Sequence, residues 1–219
     1  MFSFNFGKYF ALISAVGVLI FSLASETVAQ PKPTLPPAST IPNTSSFTGN
    51  VENYLLNREG LVDGLLLDNG IQVKFPSHMS DRLIEIAQPG TEISVQGEPG
   101  VPTNYGQEIK AYSIANVATG ETVVEQPPMY KQPRGYREYN NLSETGNVEH
   151  WLVGRRGEIK GMILSSGTQV KFPPHVGERL AFMVSENAEI EVEGFGTENE
   201  YGKLIEASIL RVDGQPLNL

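Results

Sequence analysis

Beyond residue 46 the apolar positions recur at two spacings. Runs rich in β-branched and apolar residues occupy 51–56, 60–67, 71–75, 92–96 and 108–117, separated by Gly, Asn and Pro, and this pattern predicts five strands. Asp68-Asn69-Gly70 between the second and third runs is tight-turn chemistry, because Asn and Gly tolerate the positive φ that a short hairpin needs. Residues 80–87 break the two-residue period. There Leu83, Ile84 and Ala87 share one helical face behind Ser80, a residue type that caps helices, and Pro89-Gly90 ends the run, so one short helix is expected between strands three and four.

The same pattern occurs twice. Residues 49–83 and 146–180 align without a gap, with roughly half the positions identical, the signature of an internal duplication. Gly49-Asn50-Val51-Glu52 returns as Gly146-Asn147-Val148-Glu149, and Gln72-Val73-Lys74-Phe75-Pro76 returns as Gln169-Val170-Lys171-Phe172-Pro173, with His78 matched by His175. Ser165-Ser166-Gly167 replaces the first hairpin turn. The later halves match more loosely, through pairs such as Gly97/Gly194 and Tyr105/Tyr201. Two tandem modules are expected, at 47–123 and 143–219, joined by a connection over 124–142.

Five strands with a helix between the third and fourth is the order of an OB-fold, a small Greek-key barrel whose closure limits exposed edges in a module of marginal size. The expected fold class is mainly β, two tandem small five-stranded OB-fold-like barrels, each with one short helix. The run Gly60-Leu61-Val62-Asp63-Gly64-Leu65-Leu66-Leu67-Asp68-Asn69-Gly70-Ile71-Gln72-Val73, followed by Pro89-Gly90-Thr91-Glu92-Ile93-Ser94-Val95-Gln96-Gly97, resembles the OB-fold pattern of bacterial exported proteins, loosely that of the periplasmic BOF family. The resemblance covers both modules and implies the fold more strongly than any ligand.

Residues 1–29 read as a secretory signal: Lys8 closes a short n-region, an apolar run spans 9–24, and Thr27-Val28-Ala29 offers small residues for cleavage after Ala29. An uncleaved anchor is the alternative, although the run is shorter than the ~20 residues of a comfortable membrane span. The expected location is periplasmic or secreted, with no transmembrane segment in the mature chain. Residues 30–46, rich in Pro, Ser and Thr, bury too little apolar surface to fold and are read as a tether. The chain has no cysteine, which removes lipoprotein anchoring, disulfides and thiol chemistry. Its net charge of −9 repels phosphate backbones on average.

No catalytic constellation stands out. There is no Gly-x-Ser-x-Gly elbow and no phosphate-cradling glycine loop, and only His78, His150 and His175 are available as imidazole bases. Glu189, Glu191 and Glu193 alternate with Ile190 and Val192 and read as the solvated face of a strand. The chain is expected not to be an enzyme and to hold no cofactor and no metal. Candidate ligand contacts come from strand three and the connection. With Ile71, Val73 and Phe75 facing inward, Gln72 and Lys74 face outward, as do Gln169 and Lys171. On the face OB-folds use for ligands, Lys74 and Lys171 are either contacts or solvent-facing charges. Phe75 and Phe172 either stack on a ligand or plug a barrel end. His78 and His175, just before the helix, either orient a loop or meet across an interdomain groove. Tyr130, Arg134, Tyr136 and Arg137 make the connection basic and aromatic, suited either to a partner or to packing between the modules.

These readings converge on a non-catalytic exported binding or scaffold protein of the bacterial envelope. Its partner would be another envelope protein or a cell-wall or extracellular polymer. Single-stranded nucleic acid on the strand two and three faces is the alternative, disfavoured by net charge.

Overall fold

A computed structural model describes residues 44–127, 140–185 and 188–219. The first repeat contains β1 (Ser45–Leu56), β2 (Val62–Leu67), β3 (Ile71–Lys74), a 3-10 turn (Ser77–Met79), α1 (Ser80–Ile86), β4 (Glu92–Pro99), β5 (Gln107–Asn116) and β6 (Thr122–Val124). The second contains β7 (Asn140–Val153), β8 (Ile159–Leu164), β9 (Gln169–Lys171), α2 (Pro174–Met183), β10 (Glu189–Asn199), β11 (Gly202–Val212) and β12 (Gln215–Leu217).

Each repeat closes on itself. β1 pairs antiparallel with β2 and β4, β2 with β3, and β4 with β5, while β3 runs parallel to β5 and completes the ring. The second repeat follows the same scheme, with β9 parallel to β11. A closed five-stranded ring in this order, with a helix after the third strand, is the OB-fold expected from the sequence. The short β6 and β12, which add to β5 and β11, were not foreseen, since three residues are too few to show a period.

Closure depends on long first strands that serve two neighbours. In β1, Ser45–Asn50 pair with β4 and Val51–Leu56 with β2, and the register shifts after Val51, where the strand turns from one partner to the other. β7 shifts at the matching place, after Val148. Such bulges bend a strand and raise its twist, as a small barrel requires. Gly97 and Gly194 sit at a second pair of shifts, where a Cβ would overlap the carbonyl oxygens of Lys110 and Glu206.

The hairpin turns behave as read, with Gly70 at φ 78° and Gly167 at 81°. Helix α1 begins at Ser80 as read, but that serine does not cap it. Ser80 makes no capping bond; the 3-10 turn precedes it, with the Met79 amide donating to Pro76 O at 3.0 Å, and Ser80 is buried inside the first turn. The barrel cores include Leu56, Leu65, Val73, Phe75, Leu83 and Ile109 in the first repeat and Val153, Met162, Val170, Phe172, Leu180 and Ile205 in the second. Each such side chain contributes roughly 1.5–3 kcal/mol by leaving water. Among the described residues no helix is long and apolar enough to cross a membrane.

Candidate functional site at the seam between the barrels

Both barrels belong to one compact unit, and they meet through their strand-three faces. Gln72 and Gln169 point away from their own barrel interiors, as a two-residue period requires, yet they are only 1% and 2% exposed. The opposite barrel covers them. Gln72 Nε2 donates to Trp151 O at 2.9 Å, and its Oε1 accepts from the Val153 amide at 3.0 Å. Gln169 repeats this in reverse, donating to Tyr54 O at 2.9 Å and accepting from the Leu56 amide at 2.9 Å. The second halves of β1 and β7 have a strand neighbour on one side only, and each glutamine supplies the missing partner on the other. A buried amide left unpaired would cost about 1–3 kcal/mol, so the duplicated glutamines make the two faces mutually complementary.

The exchange is reciprocal along the seam. Leu55 and Leu66 pack on their counterparts Leu152 and Ile163, all nearly inaccessible. Tyr54 meets Tyr201 edge-on at 5.9 Å, and Tyr105 meets Trp151 in the same manner at 5.9 Å. Burial, and then the neighbouring Tyr201, hold the Tyr54 hydroxyl above the usual phenol range. Asn199 Nδ2 donates to Gly60 O at 2.8 Å, and the Val101 amide to Arg155 O at 2.8 Å. This arrangement is that of an isologous dimer interface made within one chain.

The charges break the symmetry. Lys74 Nζ stays in its own barrel, 2.6 Å from Asp63 Oδ2. At the place of Asp63 the second barrel has Lys160, which crosses the seam to pair with the buried Glu108. Lys171, the counterpart of Lys74, also crosses and donates to Leu56 O at 2.6 Å. Burial, with the like charges of Lys74 and Lys160 outweighing Asp63 and Glu206, lowers the Lys171 ammonium to about 8. Arg58 pairs with Glu206 nearby. Together Arg58, Lys160 and Lys171 line a cleft of about 550 Å³, walled by Phe172, Pro173 and Ala207.

Of the other expected contacts, Phe75 and Phe172 lie in the barrel cores, each 6% exposed. His78 is partly buried and its Nε2 lies 2.8 Å from Gln126 O, fastening the turn before α1 to the start of the connection. His175 is exposed at the start of α2. Tyr130, Arg134, Tyr136 and Arg137 lie outside the described residues. A third imidazole reaches the seam: His150 Nε2 is 3.3 Å from Glu52 Oε2, and Glu149 brings a second carboxylate within 4.8 Å of both. The glutamates are exposed counterparts of each other. Neither this contact nor the role of the glutamines was read from the sequence; the only signal was the repetition of Glu52 and Gln72 in the second module.

No family model and no curated protein matches the chain. Among solved structures, a deletion mutant of the single-stranded DNA binding protein from Thermus aquaticus is similar at 13% identity, over 81% of this chain and 95% of that one, with a TM-score of 0.24. At that score the likeness bears no weight, and the OB-fold assignment rests on the strand order and closure of the two barrels themselves.

Proposed function

We propose that the chain is a non-catalytic binding or scaffold protein exported to the bacterial envelope, where its paired barrels engage another envelope protein or a cell-wall or extracellular polymer. The observation that carries this reading is the seam. Two OB barrels have turned the faces around their third strands into a contact with each other, which yields one larger module whose remaining surfaces are free for a partner. The signal-like pattern over 1–29 and the Pro-, Ser- and Thr-rich stretch ahead of β1, which takes in Ser45 and Ser46 of the segment read as a tether, support the compartment. The connection with Tyr130, Arg134, Tyr136 and Arg137, the cleft beside Lys171 and the loop carrying His78 are the places to seek contacts.

Cell fractionation of a C-terminally tagged chain, with sequencing of the mature N-terminus and cross-linking in intact cells, tests the proposal. The expected result is a chain starting near Gln30, outside the cytoplasm, cross-linked to envelope material. Cytoplasmic retention with residues 1–29 intact, or a turnover activity abolished by one substitution, overturns it.

Single-stranded nucleic acid remains the competing reading, and it requires the barrels to part. Gln72 and Gln169 are covered on the faces where strands two and three would receive a base, and the net charge of −9 opposes a polyanion. Titration with a short oligonucleotide at low salt separates the readings. Salt-sensitive shifts at Lys74 and Lys171 favour nucleic acid, and their absence favours the envelope partner.

A further inference from the structure

Around the cleft beside Lys171 the charges pair off with one left over. Lys74 answers Asp63, Lys160 answers Glu108 and Arg58 answers Glu206. Lys171 has no carboxylate within ion-pair distance among the described residues. Its one acceptor there is the neutral carbonyl of Leu56, which takes one of three ammonium protons. A local excess of one positive charge, in a chain of net charge −9, is held where burial and two neighbouring lysines press on it. Glu206, taken up by Arg58, also lines the cleft, and the rest of the lining is apolar: Phe172, then Pro173 and Pro174, which have no amide protons to offer, and Ala207. The volume, about 550 Å³, is that of a small-molecule site, where apolar walls take the body of a ligand and a few polar groups fix its orientation.

We propose that this cleft binds the carboxylate of an acid with an apolar body, with Lys171 as its principal partner, Lys160 and Arg58 beside it, and the proline wall against the body. One excess cation matches one negative charge, which favours a monocarboxylate over a phosphate monoester. A carboxylate has the acceptor oxygens that the remaining Lys171 protons lack, and it relieves the crowding of Lys171 by Lys74 and Lys160. The first barrel cannot do the same, because Asp63 already neutralises Lys74. The inference rests on the reading of this protein as a binder, and it names a ligand class for Lys171 and Phe172.

The test is an amide and side-chain chemical-shift titration of the isotope-labelled protein with 4-phenylbutyrate and, in parallel, with its neutral amide. The expected result is saturable shifts at Lys171, Phe172 and Ala207 with the acid and none with the amide. Because Lys171 must carry its proton, affinity should fall about tenfold between pH values one unit below and one unit above its titration near 8. Asp63, Lys74, Lys160 and Glu206 face the same ammonium and set that titration. Lys171→Gln should abolish the shifts. Lys171→Arg, which keeps the charge at every pH used, should retain binding and lose the pH dependence, so the proposal stays testable if the glutamine variant does not fold. Equal binding of acid and amide, absence of saturation, or an unchanged pH profile in Lys171→Arg overturns it. Failure here leaves the fractionation result untouched, and cytoplasmic retention would leave a positive titration standing, so the two proposals fail separately.

Discussion

Lys74 and Lys171 occupy one place in the two barrels, opposite Gly64 and Gly161 on the preceding strand, with Asp63 and Lys160 alongside as counterparts. The backbones agree in detail: the amide after each lysine, at Phe75 and Phe172, donates to the carbonyl of Asp63 and Lys160 respectively. The side chains do not agree. The first barrel closes its lysine within itself, whereas the second sends both lysines over the seam, one to a carboxylate and one to a neutral carbonyl. A duplicated module therefore keeps what the seam demands, the two glutamines and their apolar neighbours. It is free to diverge where a charge can find a partner on either side.

Making the first barrel copy the second is the strongest way to break this contrast. Asp63→Lys removes the partner of a partly buried ammonium and adds a cation beside Lys74 and Lys171. The expected loss is about 3–5 kcal/mol, the scale on which a buried charge left unpaired destabilises a fold. Chemical denaturation measures it, and a loss below about 1 kcal/mol would mean that solvent already screens this pair. Next come the glutamines, where the barrels should behave alike. Gln72→Leu and Gln169→Leu each strand an amide and a carbonyl of the opposite barrel, so each should lower stability by about 1–3 kcal/mol and by nearly the same amount. A clear inequality in denaturant midpoints would show that the seam is less reciprocal than its distances.

A smaller effect comes from pH. Lys171 binds its proton more weakly in the folded chain, near 8, than in the unfolded chain, near its ordinary value of 10.5. Between those values the unfolded state holds more protons, so stability from this group rises with pH across that window and is at its lowest below 8. From about pH 8 to about pH 9.5 the gain is about 1.5 kcal/mol, before the raised hydroxyls of Tyr54, Tyr112 and Tyr201 act in the opposite sense. Urea midpoints at the two pH values measure it, and Lys171→Met should flatten the difference. Lys74→Met should reduce the difference without abolishing it, because the Lys74 charge is one cause of the lowered Lys171 value while burial, the larger cause, stays.

The fold was legible because its signals are local and doubled. Two-residue alternation marked the strands, Asn69-Gly70 and Ser166-Gly167 marked the hairpins, and the repeat fixed the module count. The seam was not legible, and the reason lies at Gln72. Its outward direction follows from strand period alone, but whether outward means water or another barrel depends on how two closed modules dock, a contact that no local spacing encodes. The same holds for Lys171, whose sequence neighbours match those of Lys74 while its bonded partner is the Leu56 carbonyl of the opposite barrel and not a carboxylate of its own. Ser80 failed as a cap for a smaller reason, since the 3-10 turn over Ser77–Met79 leads straight into the helix and leaves the serine inside the first turn.

The helices give the mildest contrast. Two residues beyond Leu83, α1 exposes Glu85; two beyond Leu180, α2 exposes Phe182, which is 92% accessible and lines a cleft with Tyr105 and Ile159. An aromatic ring that faces water adds almost nothing to folding, so Phe182→Glu, which restores the first barrel's choice, should change stability by no more than about 0.5 kcal/mol. Thermal unfolding checks that figure. A destabilisation of about 2 kcal/mol or more would mean that the ring packs against the chain in solution. If stability holds while cross-linking to envelope material is lost, the second helix is where the partner rests, and the divergence of the two barrels extends from their charges to their outer faces.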